Sequence, residues 1–529
     1  MKKKILILFI TFGIILRFVG LDYSPPHLSN DEISIAYDAY SLLHTLKDQH
    51  NNFLPISFES FGTYKAPLAI YLSLPTTVLF GNNEYSVRLP SAIFGSLTVI
   101  FLGLLVFELT KKNNLSLFSS LLLSSAPWHI YSSRMALESN IALFFVILGL
   151  YCFFYGINRN NTKFVLFSFI SFALSIYGYH TEWGFTPMII TSLFFFNRKV
   201  IFKKAFFIGL ILFLLLISPI FIDAIHNLGT NARANTEIIF NDPSVSSELH
   251  NESLNIFQKG GVVLEKFISN YSSYMSLNTL FFNGLHLLPI EDPFQVGLFL
   301  TPLLPFFFIG FVKVKHFFKN QYKFIYSWLI ISPIIPSLTI GEVNQVRYMV
   351  AVAPFIIFIA TGLVYFLDNL RDKIWRFFVY GIYLISFLFF LTIYFYHFPY
   401  EGGQNFQYGY KQIAQYINKV YQEYQTIIVD PRFGEGGIYS GVPHLYIPYY
   451  TYLNPDQLQN SKIIPNGIAF GKYEFRNIDW NAEQLSSDDL YVVSYSNSPP
   501  MRLMNNLKNV YEVRLPNRKE AFIIYQVFE

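Results

Sequence analysis

About eleven apolar runs fill the first 396 residues of this 529-residue chain, and they constrain its fold more than any other feature. Most of them approach the length of about 17 to 25 residues that a helix needs to cross a bilayer. Charged residues make up only 14% of the chain, against about 25% in an ordinary soluble protein. We therefore expect an all-α polytopic membrane protein, with spans near residues 4–21, 87–109, 115–131, 140–157, 163–179, 184–196, 205–223, 294–312, 324–341, 348–366 and 376–396.

Basic residues occupy alternate loops between these runs. Cytoplasmic loops of membrane proteins carry an excess of Lys and Arg, and the basic loops here lie at residues 2–4, 111–112, 159–163, 197–204, 313–323 and 371–376. The other set holds two long loops, 22–86 and 224–293, and everything after residue 396. We expect a multi-pass plasma-membrane protein with a cytoplasmic N-terminus and an extracytoplasmic C-terminus.

Two domains are predicted, a membrane domain over residues 1–396 and an outer α/β domain over residues 397–529. In the outer domain, "GYKQIAQYINKVYQEY" has helical periodicity, whereas "TIIVD", "LYVVSY" and "AFIIYQVF" are typical of short strands. The net charge is only +4, and no block of basic residues indicates a nucleic-acid partner.

Ionisable side chains gather at the predicted outer ends of the spans rather than in their middles. The stretch "HLSNDEISIAYDAY" places Asp31 and Glu32 just after the first span, and Lys65 and Arg88 follow. Charges beside a bilayer lose hydration energy, so they usually have a partner or a functional role. Further candidates lie on the short outer turns, at Arg134, Glu138, His180, Glu182, Glu342 and Arg347.

Each of these residues also has a purely structural interpretation. Asp31 follows "SN", a typical helix start, and Lys65 is a candidate for a snorkelling lysine. His180 suits an aromatic belt at the interface. Arg134 and Glu138 are spaced as an exposed i,i+4 helix pair, which contributes only a few tenths of a kcal/mol. Several such groups at one depth, from different spans, favour a site.

The first 150 residues resemble the opening of the membrane glycosyltransferases with the GT-C fold. The resemblance is closest to family 39, the aminoarabinose and protein-mannosyl transferases, with their RgtA/B/C/D-like relatives. It rests on the pair Asp31–Glu32, the "KAPL" at 65–68, the "LFG" at 79–81, the "RLPSA" at 88–92 and "APWHIYSSRMALESN" at 126–140.

The resemblance implies a transferase of about eleven transmembrane helices that takes a sugar from a polyprenyl-phosphate donor. The acceptor would be a hydroxyl of a lipid, a glycan or a protein. Asp31 would be the general base, Glu138 a second acid at the cavity, and Lys65 would meet the donor phosphate. Relatives often carry an acid immediately before that lysine, sometimes tied to a metal, whereas this chain has Tyr64. A divalent metal therefore stays an open question, with Glu59, Glu138 and His180 as candidate ligands.

The chemistry of the reaction supports different roles for the two adjacent acids, one as general base and one as its support. An acceptor hydroxyl is a weak nucleophile and needs a positioned carboxylate as base. Neighbouring residues on a helix point about 100° apart, so only one acid faces a shared cavity. We predict that Asp31 is the base and that Glu32 supports it.

The leaving group needs a nearby cation to stabilise its charge rather than an acid to protonate it. A polyprenyl phosphate departs as a stabilised anion, which a nearby positive charge stabilises further. We assign Lys65, Arg88 and Arg347 to the donor phosphate. Arg134 and His180 are assigned to substrate binding.

Two other classes of function fit the composition. A lipid or glycolipid transporter would also span the membrane many times, but transporters usually place charges near the midplane and show repeated halves with broken helices. Here only the short sixth run, with its "GFTPMII", suggests a broken or tilted helix. The other alternative is an interaction protein that uses its outer domain.

Overall fold

The computed structural model describes residues 3–197, 204–226, 237–287, 295–341, 343–433 and 439–528. Most of the basic loop 197–204 and the candidate Glu342 lie outside these described residues. The chain forms two compact units, which we call the helical unit and the mixed unit. The helical unit comprises Met1–Val19, Ile56–Ala69 and Pro90–Thr392, and the mixed unit comprises Gly20–Pro55, Ile70–Leu89 and Ile393–Glu529.

This division differs from the predicted domains in one respect. Most of the first outer loop, including Asp31 and Glu32, belongs to the same compact unit as the C-terminal residues. The sequence predicted that the loop would belong to the membrane domain.

The chain is mostly helical. Its α-helices within the described residues are α1 (Lys3–Ile15), α2 (Asn30–Thr45), α3 (Leu68–Phe80), α4 (Glu84–Thr110), α5 (Asn113–Ser124), α6 (Pro127–Arg134), α7 (Glu138–Asn158), α8 (Thr162–Gly178), α9 (Glu182–Phe196), α10 (Lys204–His226), α11 (Pro243–Leu249), α12 (Ile256–Tyr274), α13 (Leu304–Phe317), α14 (Tyr322–Ile331), α15 (Ile334–Ser337), α16 (Val352–Asn369), α17 (Lys373–Thr392), α18 (Phe398–Glu401), α19 (Tyr410–Val420), α20 (Pro443–Thr451) and α21 (Pro455–Gln459).

The strands are short. Within the described residues they are β1 (Phe58–Ser60), β2 (Thr63–Lys65), β3 (Thr426–Val429), β4 (Arg432–Phe433), β5 (Tyr439–Ser440), β6 (Lys462–Ile464), β7 (Gly467–Phe470), β8 (Tyr473–Arg476), β9 (Asp489–Ser494), β10 (Leu507–Arg514) and β11 (Glu520–Val527).

A helix overlaps each of the eleven predicted runs, but α13 begins only at Leu304 of the eighth run, and the ninth run holds two helices, α14 and α15. Among the described residues, five helical stretches are long and apolar enough to cross a membrane: Glu84–Thr110, Glu138–Asn158, Lys204–Ile225, Met349–Asn369 and Lys373–Glu401. These helices support a multi-pass membrane protein, while the number of crossings stays a prediction.

The third and sixth runs show two further differences from expectation. The third run is broken after Ser124, and a second helix begins at Pro127, where proline's fixed φ favours the first helical position. The sixth run forms one continuous helix through Pro187, without the suggested break.

Two helices of the helical unit pack closely against each other. Helix α16 is buried on all sides over most of its length, as is typical of a core helix. A Cβ added to Gly310 of α13 would lie 1.7 Å from the backbone oxygen of Phe358, and one added to Gly362 of α16 would lie 1.8 Å from that of Phe306. These glycines therefore allow α13 and α16 to approach backbone to backbone, as small residues do between membrane helices.

Loops that were predicted to share a membrane face contact one another. On the basic side, Glu108 accepts hydrogen bonds from Asn158 and Arg159 at 2.7 and 3.0 Å. On the other side, Arg347 donates to Glu237 at 3.0 Å. These two contacts agree with the predicted alternation of the loops, while the full alternation and the direction of insertion stay predictions.

A seven-stranded sheet forms the C-terminal part of the mixed unit, in the order β10–β11–β9–β3–β8–β7–β6. Strand β3 is parallel to both of its neighbours, and the other pairs are antiparallel. Helix α19 buries Tyr410, Ile413, Ala414 and Ile417, the i, i+3, i+4, i+7 pattern of an amphipathic helix. The predicted helix and the three predicted strands are confirmed here, whereas β6 to β8 and β10 were not foreseen.

Cysteine labelling tests the predicted orientation. The only cysteine in the sequence, Cys152, is buried, whereas Ser487 and Asn320 are exposed. We expect Ser487→Cys to react with a membrane-impermeant maleimide in intact cells, and Asn320→Cys to react only after permeabilisation. The reverse pattern would show that the orientation is wrong.

Candidate active site

The acid pair lies in the first turn of α2, and its position is fixed by a capping box. The hydroxyl of Ser29 accepts from the backbone N–H of Glu32 at 3.3 Å, and the carboxylate of Glu32 accepts from the backbone N–H of Ser29 at 3.0 Å. This reciprocal pair satisfies two N–H groups that a helix start leaves without partners. The sequence "SNDE" therefore determines where the helix begins and where each acid points.

Glu32 is fully buried against Arg88. The guanidinium Nε donates to one carboxylate oxygen at 2.8 Å, and one terminal nitrogen donates to the other at 2.9 Å. Arg88 also donates to the backbone oxygens of Leu21, Pro25 and His27. These contacts use all five N–H donors of the guanidinium.

The predicted role of Arg88 in phosphate binding does not fit this geometry. With every donor engaged and the side chain fully buried, Arg88 has no N–H left for a donor phosphate. Its contacts instead make it a structural partner of Glu32.

Asp31 has the opposite environment from its neighbour. Its side chain is exposed, whereas Glu32 and the following ten residues of α2 are buried. The first turn of a helix carries a partial positive charge, which favours an ionised carboxylate there. Of the two adjacent acids, Asp31 is therefore the one that a ligand can reach within the mixed unit.

A second ion pair in the mixed unit joins the buried Glu84 to the partly exposed Lys411 of the C-terminal part. Lys411 of α19 donates to Glu84 at 2.7 Å, and the hydroxyl of Tyr450 donates to the same carboxylate at 3.0 Å. The ring of His27 lies 5.8 Å from that of Tyr450. Burial lowers the pKa of His27 to about 4, although the carboxylate of Glu84 opposes this shift. His27, in the segment before α2, is therefore packed as a neutral imidazole. No local pattern in the sequence indicates these distant partners.

Lys65 ends a small hairpin in the helical unit. The turn between β1 and β2 has positive φ at Phe61 and Gly62, +52° and +72°, as the two central residues of a type I′ turn require. The side chain of Lys65 is only 4% exposed, and its Nζ lies 5.9 Å from the centre of the Phe61 ring. A snorkelling lysine would keep its ammonium in water, so burial favours a bound partner.

The hairpin also pairs Tyr64 with an acidic residue. Glu59 stands directly across from Tyr64 in the strand pair, and the Tyr64 hydroxyl donates to its carboxylate at 3.4 Å. A carboxylate therefore lies beside Tyr64, on the opposite strand of the hairpin.

Arg134 and Glu138 are not neighbours on one helix. Helix α6 ends at Arg134, the backbone is extended at Met135 and Leu137, and α7 begins at Glu138. The i,i+4 interpretation is therefore wrong. Arg134 is fully buried and donates to the backbone oxygen of Val19 at 2.7 Å, which secures the end of the first apolar run.

His180 and Glu182 lie at the start of α9. The His180 ring lies 5.2 Å from that of Trp183. Glu182 is 1% exposed, and within the described residues neither of its carboxylate oxygens has a hydrogen-bond partner. A buried polar group without partners is costly, which makes Glu182 a candidate for ligand binding. The sequence places this acid in an outer turn, but only the structure reveals its burial.

Arg347 has a carboxylate partner that the sequence did not indicate. It donates to Glu237 at 3.0 Å and to the hydroxyl of Thr339 at 2.8 Å. Phosphate binding by Arg347 would have to compete with Glu237. Its assignment to the donor phosphate stays a prediction.

The candidate metal ligands of the described residues do not lie together. Among the described residues, no group of three or more His, Cys, Asp or Glu side chains could hold a metal ion. Glu59, Glu138 and His180 accordingly do not form such a group.

Comparison with solved structures identifies the fold. The chain is similar to ArnT from Cupriavidus metallidurans bound to undecaprenyl phosphate, with a TM-score of 0.60 and 12% identity over 99% of this chain and 98% of that one. It is also similar to the archaeal oligosaccharyltransferase AglB from Archaeoglobus fulgidus in complex with an inhibitory peptide and a dolichol-phosphate. That TM-score is 0.50, with 13% identity over 85% of this chain and 64% of that one. The chain therefore has the GT-C fold of membrane glycosyltransferases, as the resemblance in its sequence implied.

Sequence comparison supports the same class. Residues 64–222 match the family model described as dolichyl-phosphate-mannose-protein mannosyltransferase. A comparison with curated proteins found no match. The partial family match and the shared fold together support a glycosyltransferase role.

Removing the charge of Glu32 should destabilise the protein. Glu32→Gln leaves the buried Arg88 without a counter-charge, and breaking a buried pair in this way costs about 3–5 kcal/mol. We expect a clear fall in the thermal unfolding temperature in detergent. Asp31→Asn is the matched control, since exposed substitutions usually stay within about 0.5 kcal/mol. Equal unfolding temperatures for the two variants would contradict the structural role of Glu32.

Proposed function

We propose that this protein is a glycosyltransferase that moves a sugar from a polyprenyl-phosphate donor to a hydroxyl acceptor at the outer face of the membrane. The observation that carries the proposal is the contrast between two adjacent acids. Glu32 is held in a buried ion pair with Arg88, while Asp31 at the same helix start is exposed. Such an arrangement keeps one carboxylate accessible at a rigid position, as a general base requires.

The proposed reaction is a single displacement at the anomeric carbon. The acceptor oxygen forms a bond to C1 of the sugar, the bond from C1 to the phosphate oxygen breaks, and polyprenyl phosphate leaves with the bonding electrons. The carboxylate of Asp31 takes the proton of the acceptor hydroxyl. Direct attack inverts the configuration at C1. The acceptor is a glycolipid, a cell-surface glycan or a protein.

Lipid-linked donors are supported by the structures that share this fold. The ArnT structure contains undecaprenyl phosphate, and the AglB structure contains a dolichol-phosphate and a peptide. By analogy, the leaving phosphate of this chain is a polyprenyl phosphate. Its negative charge needs a cation, and we assign this role to the buried ammonium of Lys65.

Asp31→Asn tests the assignment of the general base. The amide has nearly the same shape but cannot accept the proton, so turnover should fall by about 10²–10⁴, the usual size of such a contribution. Donor binding and the unfolding temperature should stay unchanged. Turnover would be followed as transfer from a radiolabelled polyprenyl-phosphate sugar.

The matched control is Asp22→Asn, which removes an exposed acid from the same loop and should leave turnover intact. Near-normal transfer by the Asp31→Asn protein would remove Asp31 from the mechanism.

Lys65→Ala tests the phosphate contact. Loss of a hydrogen bond to a charged group should weaken donor binding by about 1.5–3 kcal/mol. The measurement is the affinity of the purified protein for polyprenyl phosphate. Lys508→Ala, at an exposed position of β10, is the control. Unchanged affinity in a folded Lys65→Ala protein would show that another cation binds the phosphate.

A further inference from the structure

A polar cavity of about 340 Å³ lies in the helical unit, where the end of α12 meets the turn around Gly341. Its lining differs from the apolar interior because it consists mainly of amide and hydroxyl side chains. These include Asn270, Ser273, Tyr274, Asn278, Thr279 and Asn283. Among the described residues that line it there is no Asp, Glu, Lys or Arg, and the one imidazole is that of His286.

The walls of this cavity are held in place by hydrogen bonds to the adjoining loop. The amide of Asn270 donates to the backbone oxygens of Ser337 and Thr339 at 3.1 and 3.3 Å. The hydroxyl of Tyr274, a buried residue, accepts from the backbone N–H of Asn344 at 3.2 Å. The cavity is therefore preformed, as ligand sites usually are.

Other polar groups of the lining are not used by the protein itself. Within the part of the chain that the structure describes, the side-chain amides of Asn278 and Asn283 make no hydrogen bond. Each such amide offers two donors and an acceptor. They can pair with the hydroxyls of a ligand, each of which both donates and accepts.

The chemistry of the lining selects the kind of ligand. A phosphate or carboxylate ligand is bound most strongly by Lys or Arg, which the described lining lacks, and a lipid chain would need apolar walls. The imidazole of His286, which also lines the cavity, can pair with a hydroxyl as donor or acceptor. A neutral, polyhydroxylated molecule can satisfy amides and hydroxyls without a counter-charge. The volume lies at the lower end for small-molecule sites and suits about one or two sugar residues.

We propose that this cavity binds the neutral saccharide part of the acceptor. The assignment rests on the transferase function proposed above and narrows the acceptor to a glycan or glycolipid. The donor is the weaker candidate for this cavity, because its sugar is attached to a charged phosphate and an apolar chain.

Two adjacent serines of α12 provide a matched pair of variants. The hydroxyls of Ser272 and Ser273 both donate to the backbone oxygen of Ser269, at 2.8 and 2.9 Å, and both side chains are exposed. Only Ser273 lines the cavity. Ser273→Trp should therefore fill the cavity, while Ser272→Trp places the same ring outside it.

The experiment measures binding of neutral disaccharides to the full-length protein in detergent by saturation-transfer NMR, without donor. The probes are mannobiose, galactobiose, cellobiose and chitobiose. We expect at least one of them to bind wild type and Ser272→Trp alike, and to bind Ser273→Trp about tenfold more weakly or not at all. If Ser273→Trp does not fold, the double variant Asn278→Ala/Asn283→Ala replaces it, with the same expected loss.

Two results would overturn the assignment: none of the disaccharides binds wild type, or the cavity variant binds them as wild type does. Because the measurement needs no donor, it is independent of turnover. Donor turnover without disaccharide binding would reject the cavity and leave the transferase function standing. Disaccharide binding by a protein that turns over no lipid-linked donor would reject the transferase function and, with it, the role of the cavity as an acceptor site.

Discussion

The buried ion pair between Glu32 and Arg88 is the interaction on which the acid-bearing end of α2 depends. Removing two charges from water costs several kcal/mol per ion, and only good geometry with additional hydrogen bonds offsets that cost. Here the pair is bidentate, and the remaining donors of Arg88 satisfy backbone oxygens of the irregular segment before the helix. Those oxygens would otherwise be buried without partners. One guanidinium thus fixes the start of α2 and the chain that leads into it.

This pair assigns different roles to two acids that look equivalent in the sequence. Because neighbouring helical residues point in different directions, fixing Glu32 inside the mixed unit turns Asp31 outward. The C-terminal part contributes to the same rigidity, since Tyr446 of α20 donates to the backbone oxygen of Leu28 at 2.6 Å. We infer that one function of the C-terminal residues is to hold the helix that carries the proposed base.

Part of the fold and of the candidate site could be predicted from the sequence, because apolar runs, basic loops and strand patterns are local signals. They located the helices, the strand Thr426–Val429 and the two candidate acids. The partners of Arg88 could not be predicted, because backbone oxygens carry no sequence signature. The pair of Lys411 with Glu84 spans 327 positions, and the helix break after Ser124 is hidden in a continuous apolar run. The unpartnered carboxylate of Glu182 is visible only once burial is known.

The central claim is tested most directly by adding a polyprenyl-phosphate sugar, labelled in the sugar, to the full-length protein in liposomes and measuring where the label goes. The transferase account predicts that label moves to an acceptor with inverted configuration at C1, while an equal amount of free polyprenyl phosphate appears. A labelled donor that changes leaflet with its sugar–phosphate bond intact, and never releases polyprenyl phosphate, would contradict the account and identify a transporter.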